Sequence, residues 1–151
     1  AVGLSMTLPG VPVVFAGDEF GLTGADGESS RTPIPWGSVE EPDVAERLDL
    51  YRDLIGLRRE HPVLATGGLR WLHIDDDTVV FVRESAEESV LVLATRGDAD
   101  VELAPGLLAG ADAAIDLVGD ATLAAATDGA VLLTADGPAF AAWQLPGVRT
   151  P

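Results

Sequence analysis

At 151 residues, 47% hydrophobic and 23% charged, the chain is long enough to bury a sizeable core, as one domain or two small ones. A net charge of −16, with nine basic residues that are all Arg, argues against nucleic acid or an anionic membrane as partner and suits a neutral ligand such as a sugar. The absence of cysteine excludes disulfides and thiolate chemistry and leaves the redox compartment undecided. An Arg-only basic set beside abundant Ala suggests a GC-rich bacterial genome.

The opening run, AVGLSMTLPGVPVVFAG, is apolar, but no basic residue precedes it and Pro9 and Pro12 interrupt it. It therefore reads neither as a signal peptide nor as a transmembrane helix. Buried core belonging to a longer chain is the expectation. Residues 1–8 are expected to close an apolar helix, stopped by Pro9-Gly10. The Val-rich run VPVVFA then has the pattern of a strand buried on both faces, as in a parallel sheet, with Pro12 tolerable near its start. Such a strand needs neighbours on both sides. A long loop follows from Asp18 to Pro42, stiffened by Pro33 and Pro35 and carrying Trp36.

A helix is expected from Asp43, which with Glu46 has capping-box spacing. Its apolar stripe is Val44, Leu48, Tyr51 and Ile55, widened by Leu50, Leu54 and Leu57. Arg58 and Arg59 fall in the last turn, where positive charge suits the helix dipole, and His61-Pro62 ends it. The texture then changes. LRWLHI and TVVFVRE flank the turn Asp75-Asp76-Asp77, SVLVLAT follows, and these read as consecutive antiparallel strands. Weaker strand candidates lie at 101–103, 113–118, 130–134 and 140–145, whereas the Ala-rich stretch 109–126 fits loop, strand or helix. The chain thus divides near residue 64 into a strand–loop–helix part, 1–64, and an antiparallel β-sandwich, 65–151.

Gly10, Pro12, Gly17, Asp18 and Glu19, followed by Arg31, Pro33, Pro35, Trp36 and the helix ending in His61-Pro62, resemble the end of the catalytic barrel in the α-amylase family, glycoside hydrolase family 13. Phe15 and Ala16 stand where that family often has two tyrosines, and Ile34 where it often has Met. The resemblance implies the last β/α unit of a (β/α)8 TIM barrel followed by an antiparallel C-terminal β-sandwich. It implies an enzyme acting on α-glucosidic bonds by a retaining mechanism, with an α-glucan or small α-glucoside as substrate and no cofactor. The family's three catalytic carboxylates precede its eighth strand, so they are expected upstream of residue 1. The segment alone is then expected to be inactive and to need the missing barrel portion for folding, with its remainder from about Ala65 better behaved by itself.

No catalytic residue is therefore expected in this chain. Adjacent strand residues point to opposite faces, so Asp18 and Glu19 do not form a dyad. Three residues are substrate-binding candidates: Glu19 at the margin of the site, Arg31 toward sugar hydroxyls and Trp36 against a sugar ring. Each has a structural alternative. Glu19 could satisfy backbone donors, Arg31 could pair with Asp26 or Glu28, and Trp36 could plug its own loop. His61 and His73 read as structural, Asp75-Asp76-Asp77 as a solvated turn, and no metal site is expected. Trp71 and Trp143 fit core packing or a surface sugar platform. A non-catalytic carbohydrate-binding or structural β-sandwich module is the alternative to an enzyme fragment. Localisation, cytoplasmic or secreted, cannot be read.

Overall fold

The computed structural model describes residues 1–24, 26 and 31–146. Three helices come first: α1 (Val2–Thr7), α2 (Pro42–Glu60) and the short α3 (Val63–Thr66). Eight strands follow: β1 (Gly68–Ile74), β2 (Thr78–Glu84), β3 (Ser89–Thr95), β4 (Ala99–Leu103), β5 (Ile115–Val118), β6 (Thr122–Ala125), β7 (Val131–Ala135) and β8 (Ala139–Leu145). They form a five-stranded sheet, β1-β2-β3-β8-β5, and a three-stranded sheet, β4-β7-β6, with every pair antiparallel.

Side-chain alternation explains the layering. On β2 and β3, Val80, Val82, Leu91 and Leu93 face one way and meet Val101, Leu103, Val131 and Leu133 of the smaller sheet. Trp143 of β8 is buried in this inter-sheet core. The opposite face, through Phe81, Val90, Val92 and Ala142, packs against Met6, Leu54, Leu57, Val63 and Leu64 of the helices. The large sheet is thus covered on both sides, which is why β2 and β3 are near-continuous apolar runs.

The sandwich agrees with the sequence reading, including the turn Asp75-Asp76-Asp77 and the helix ending before His61. Four details differ. Residues 11–16 are not a strand: no strand among the described residues pairs with them, and Val11 and Val13 are 89% and 81% exposed. A strand exists only through its neighbours, so an apolar run without them is merely extended chain. The last β/α unit of a barrel is accordingly not formed here. Second, Asp43 does not cap α2. Pro42 occupies the first turn, where its missing N–H is no loss, Glu41 is the N-cap, and no side-chain cap bond forms.

Third, α2 buries only Leu54 and Leu57 fully, while Leu50 and Ile55 are exposed. Fourth, the core beneath the helices draws on both sides of residue 64, so residues 65–151 alone would uncover Phe81, Val90 and Val92. A better-behaved fragment beginning at Ala65 is therefore not what this packing favours.

Candidate functional site

Gly17 begins the candidate site. Its φ of +107° is open to glycine, and it turns the chain from the extended run into a 3₁₀ turn at Asp18–Phe20. Gly21 closes that turn at φ +70° and donates its N–H to the Asp18 carbonyl at 3.0 Å. A Cβ on Gly21 would overlap the Arg47 guanidinium, so α2 lies directly against the turn. Tyr51, one turn further along α2, has its pKa raised by burial and then by the nearby Asp18 and Glu19 carboxylates. Arg47 and Tyr51 thus belong to this neighbourhood, whereas their spacing alone places them on the ordinary faces of a helix.

Glu19 turns back on its own backbone: its Oε2 accepts the Gly17 N–H at 2.8 Å. In this structure the carboxylate does the bland job of satisfying a donor, and one oxygen is thereby committed. Asp18 is exposed, and both carboxylates lie near enough to Tyr51 to raise its pKa. Beside them, Phe15 to Asp18 and Leu22 to Gly24 line a depression of about 310 Å³.

Trp36 sits on a second 3₁₀ turn, Trp36–Ser38, at the far end of the loop. Its ring meets Phe20 edge-to-face, with centroids 5.7 Å apart and planes at 84°. Phe20 is buried and Trp36 is 72% exposed. The contact therefore ties the two ends of the loop together while leaving most of the indole open to solvent, which plugging the loop would not. The Phe20 partner could not be read from spacing, because sixteen residues separate the rings. Arg31 is exposed on the same loop, and Glu28, one of the partners considered for it, lies outside the described residues.

The other candidates separate cleanly. His61 contacts the Glu88 carboxylate through Nδ1 and is buried. His73 Nε2 meets Asp75 Oδ2 at 2.7 Å beside the β1–β2 turn. The structural reading of both residues rests on their places at a helix end and in a strand; the Glu88 and Asp75 partners are additional. Trp143 is core, whereas Trp71 on edge strand β1 is 46% exposed and leans edge-to-face on Phe81. Among the described residues no group of three or more His, Cys, Asp or Glu could hold a metal ion, and no helix is long and apolar enough to cross a membrane.

No protein-family model matches the chain. Among curated proteins it is 34% identical over 92 residues to α-amylase 2 of Dictyoglomus thermophilum, a match covering 55% of this chain and 16% of that protein. It is 35% identical over 102 residues to neopullulanase 2 of Thermoactinomyces vulgaris, covering 65% of this chain and 17% of that one. The chain therefore spans a small fraction of the length of the relatives it matches. Among solved structures, the debranching enzyme of Nostoc punctiforme has the same fold over 94% of this chain and 29% of its own, with a TM-score of 0.77 and 24% identity. The α-amylase of Geobacillus thermoleovorans, complexed with acarbose, covers 97% of this chain and 32% of its own, with a TM-score of 0.77 and 20% identity. The homologues of this chain are thus members of the α-amylase family, and the chain matches the C-terminal part of those proteins.

Proposed function

We propose that the chain is the C-terminal portion of a glycoside hydrolase or transglycosylase that acts on α-glucosidic bonds of starch-derived or related oligosaccharides. The observation that carries this reading is the ordered series Gly10, Pro12, Gly17-Asp18-Glu19, Arg31, Pro33 and Trp36, ahead of a helix ending at His61-Pro62 and a β-sandwich. The names of its relatives, α-amylase, neopullulanase and cyclomaltodextrinase among them, support the substrate class.

In this reading residues 1–64 are the end of the catalytic barrel and residues 65–151 its trailing sandwich. A retaining glycosidase needs two carboxyls about 5 Å apart across the scissile bond, one to attack and one to protonate the leaving oxygen. Asp18 and Glu19 do not supply that pair, since they are neighbours on one short turn and Glu19 is held by the Gly17 amide, whereas the two carboxyls must flank the bond from opposite sides. The nucleophile and the acid then come from preceding sequence, and this segment contributes the rim. Trp36 would lie against the apolar face of a sugar ring and Arg31 would donate to hydroxyls. Glu19 would hold the Gly17 turn in shape, with its second oxygen facing the site. The exposed Val11, Val13 and Phe15 would be covered by the barrel's other strands and helices.

The test has two arms. The 151-residue chain is incubated with soluble starch, pullulan and maltose and assayed for reducing ends and for transfer products; no turnover is expected. The same assay on the polypeptide extended through its upstream reading frame should show turnover, and Trp36→Ala should raise its KM by roughly tenfold, the scale of losing about 1.4 kcal/mol of stacking. Turnover by the 151-residue chain alone, or an extended protein inert toward every α-glucoside, would overturn the proposal.

A further inference from the structure

Two guanidinium groups converge on one short stretch of backbone. Arg83 of β2 is 0% exposed, and none of the ion pairs among the described residues includes it. Carbonyl oxygens surround it instead. Its Nη1 donates to Thr7 O at 2.5 Å and Leu64 O at 2.7 Å, its Nη2 to Gly67 O at 2.7 Å and its Nε to Gly68 O at 3.0 Å. Arg58 of α2 approaches from the other side, donating through Nη1 to Met6 O at 2.6 Å and Leu8 O at 3.2 Å, and through Nη2 to Gly10 O at 2.6 Å.

The carbonyls of residues 6, 7, 8 and 10 therefore all face a cation. Those of Met6 and Thr7 are among the groups that the end of α1 leaves without intrahelical donors, and where its negative pole gathers, and those of Leu8 and Gly10 follow directly after it. Arg58 was expected to serve the end of its own helix; it serves the end of α1. Arg83 reaches three segments at once: the exit of α1, the last turn of α3 and the Gly67-Gly68 link into β1. That link is where a hinge between the helical part and the sandwich would lie. A planar fork with five N–H donors can meet four acceptors in three directions, which an ammonium cannot do.

We propose that Arg83 and Arg58 form a two-cation clamp that locks the exit of α1 and the Gly67-Gly68 link. The helices and the large sheet then open together, and residues 11–16 leave α1 along one fixed path. Other packing supports the same joint. Gly3 lies so close to the Phe140 ring that a Cβ would overlap it, and the Thr7 hydroxyl donates to Gly3 O at 2.8 Å, tying α1 internally while it rests on β8. At its downstream end the extended run is fixed separately, through the Asp18–Phe20 turn against α2. Both arginines are positioning residues in this scheme. Their hydrogen bonds among the described residues all go to backbone carbonyls, and the scheme does not depend on the chain being part of a glycosidase.

Native-state hydrogen exchange on the whole chain, read as peptides, tests this with Arg58→Gln, Arg58→Lys, Arg83→Lys and Arg83→Met. In the wild type, α1 and α3 amides should exchange at rates close to those of the slowest β3 and β8 amides. In Arg58→Gln, the amides of α1 and of its C-cap Leu8 should exchange at least tenfold faster while β3 and β8 are unchanged. Arg83→Lys should behave like a loss, with α1, α3 and residues 67–68 all accelerated, because the charge is kept and the fork is gone. Arg83→Met could fail to fold; the two Arg58 variants and Arg83→Lys decide the matter without it. Equal acceleration everywhere, no change in α1, or full protection restored by either lysine would overturn the clamp. None of these readouts involves a sugar, so they stand apart from the fate of the glycosidase reading.

Discussion

Asp75 is exposed, with 51% of its side chain open to solvent, and still firmly committed. Its Oδ2 meets His73 Nε2 at 2.7 Å, and its Oδ1 accepts the N–H groups of Asp77 at 2.9 Å and Thr78 at 2.7 Å. The His73 contact first, and the two backbone donors after it, pull its pKa from 3.8 down to about 2. Because the folded-state value lies below the unfolded one, the carboxylate stabilises the β1–β2 turn fully above the unfolded pKa and loses that contribution as pH falls through the folded one. Asp75→Asn should therefore melt below the wild type at pH 7. The gap should shrink as the pH is taken from 4 to 2, as thermal melts followed by circular dichroism across that range would record. A gap of constant size down to pH 2 would mean that the lost charge is not its cause. At the candidate site Glu19 likewise accepts a local N–H, that of Gly17.

At the scale of elements, the edge strand β5 depends on one glycine. Gly119 has φ +100°, and a Cβ there would overlap the Phe140 carbonyl oxygen and stand 2.7 Å from Ala141 Cα, both backbone atoms of β8. Gly137, in the β7–β8 turn, has φ +71° with open space around it. Gly137→Ala should cost about 1 kcal/mol, the left-handed penalty alone. Gly119→Ala adds a clash that only backbone movement can relieve and should cost roughly 3 kcal/mol. Urea unfolding midpoints compare them, and equal losses would show that β5 yields freely. These elements were not equally legible. Strands β1, β2 and β3 were read because their apolar residues are contiguous or alternate, and Asp75-Asp76-Asp77 marks the turn between two of them. Strand β6 is not singled out by the sequence, because TLAA lies in an Ala-rich stretch without that periodicity, which fits loop, strand or helix alike. Residues 11–16 were read as a strand because Val-rich composition suits a sheet, yet pairing is a property of neighbours and not of the run itself. The candidate site was legible as residue types, through Gly17, Glu19, Arg31 and Trp36. Its geometry was not, since the Phe20–Trp36 contact and the return of Glu19 to Gly17 join residues by folding, without a periodic signature. The Arg83 site was invisible for a further reason: its acceptors are backbone carbonyls, which every residue has.

Across the whole molecule, two apolar cores hold three layers together against a large excess of negative charge. With 25 acidic and nine basic residues, 16 carboxylates would remain without a basic partner even if every Arg took one. Exposed pairs such as Arg52–Asp49 and Arg96–Asp77 offset little of this, since surface ion pairs contribute about 0–1 kcal/mol each. Uncompensated charge of one sign disfavours the compact state, in which the carboxylates are crowded, relative to the expanded chain. Dissolved salt acts on that repulsion directly, because the screening length falls from about 10 Å at 0.1 M to about 3 Å at 1 M. It weakens the few exposed ion pairs as well, but they are outnumbered. It leaves the buried contacts of Arg83 to carbonyl oxygens largely untouched, because solvent does not reach them. The balance favours folding. Raising NaCl from 0.02 M to 1 M should therefore lift the melting temperature by roughly 3–8 °C, equivalent to about 1–2 kcal/mol for a chain of this length. KCl should match NaCl, because screening depends on ionic strength and not on the identity of the cation. Differential scanning calorimetry in both salts decides it. A melting temperature that falls with salt would mean that attractive surface pairs outweigh the net charge, and a rise specific to one cation would mean a bound ion in place of screening.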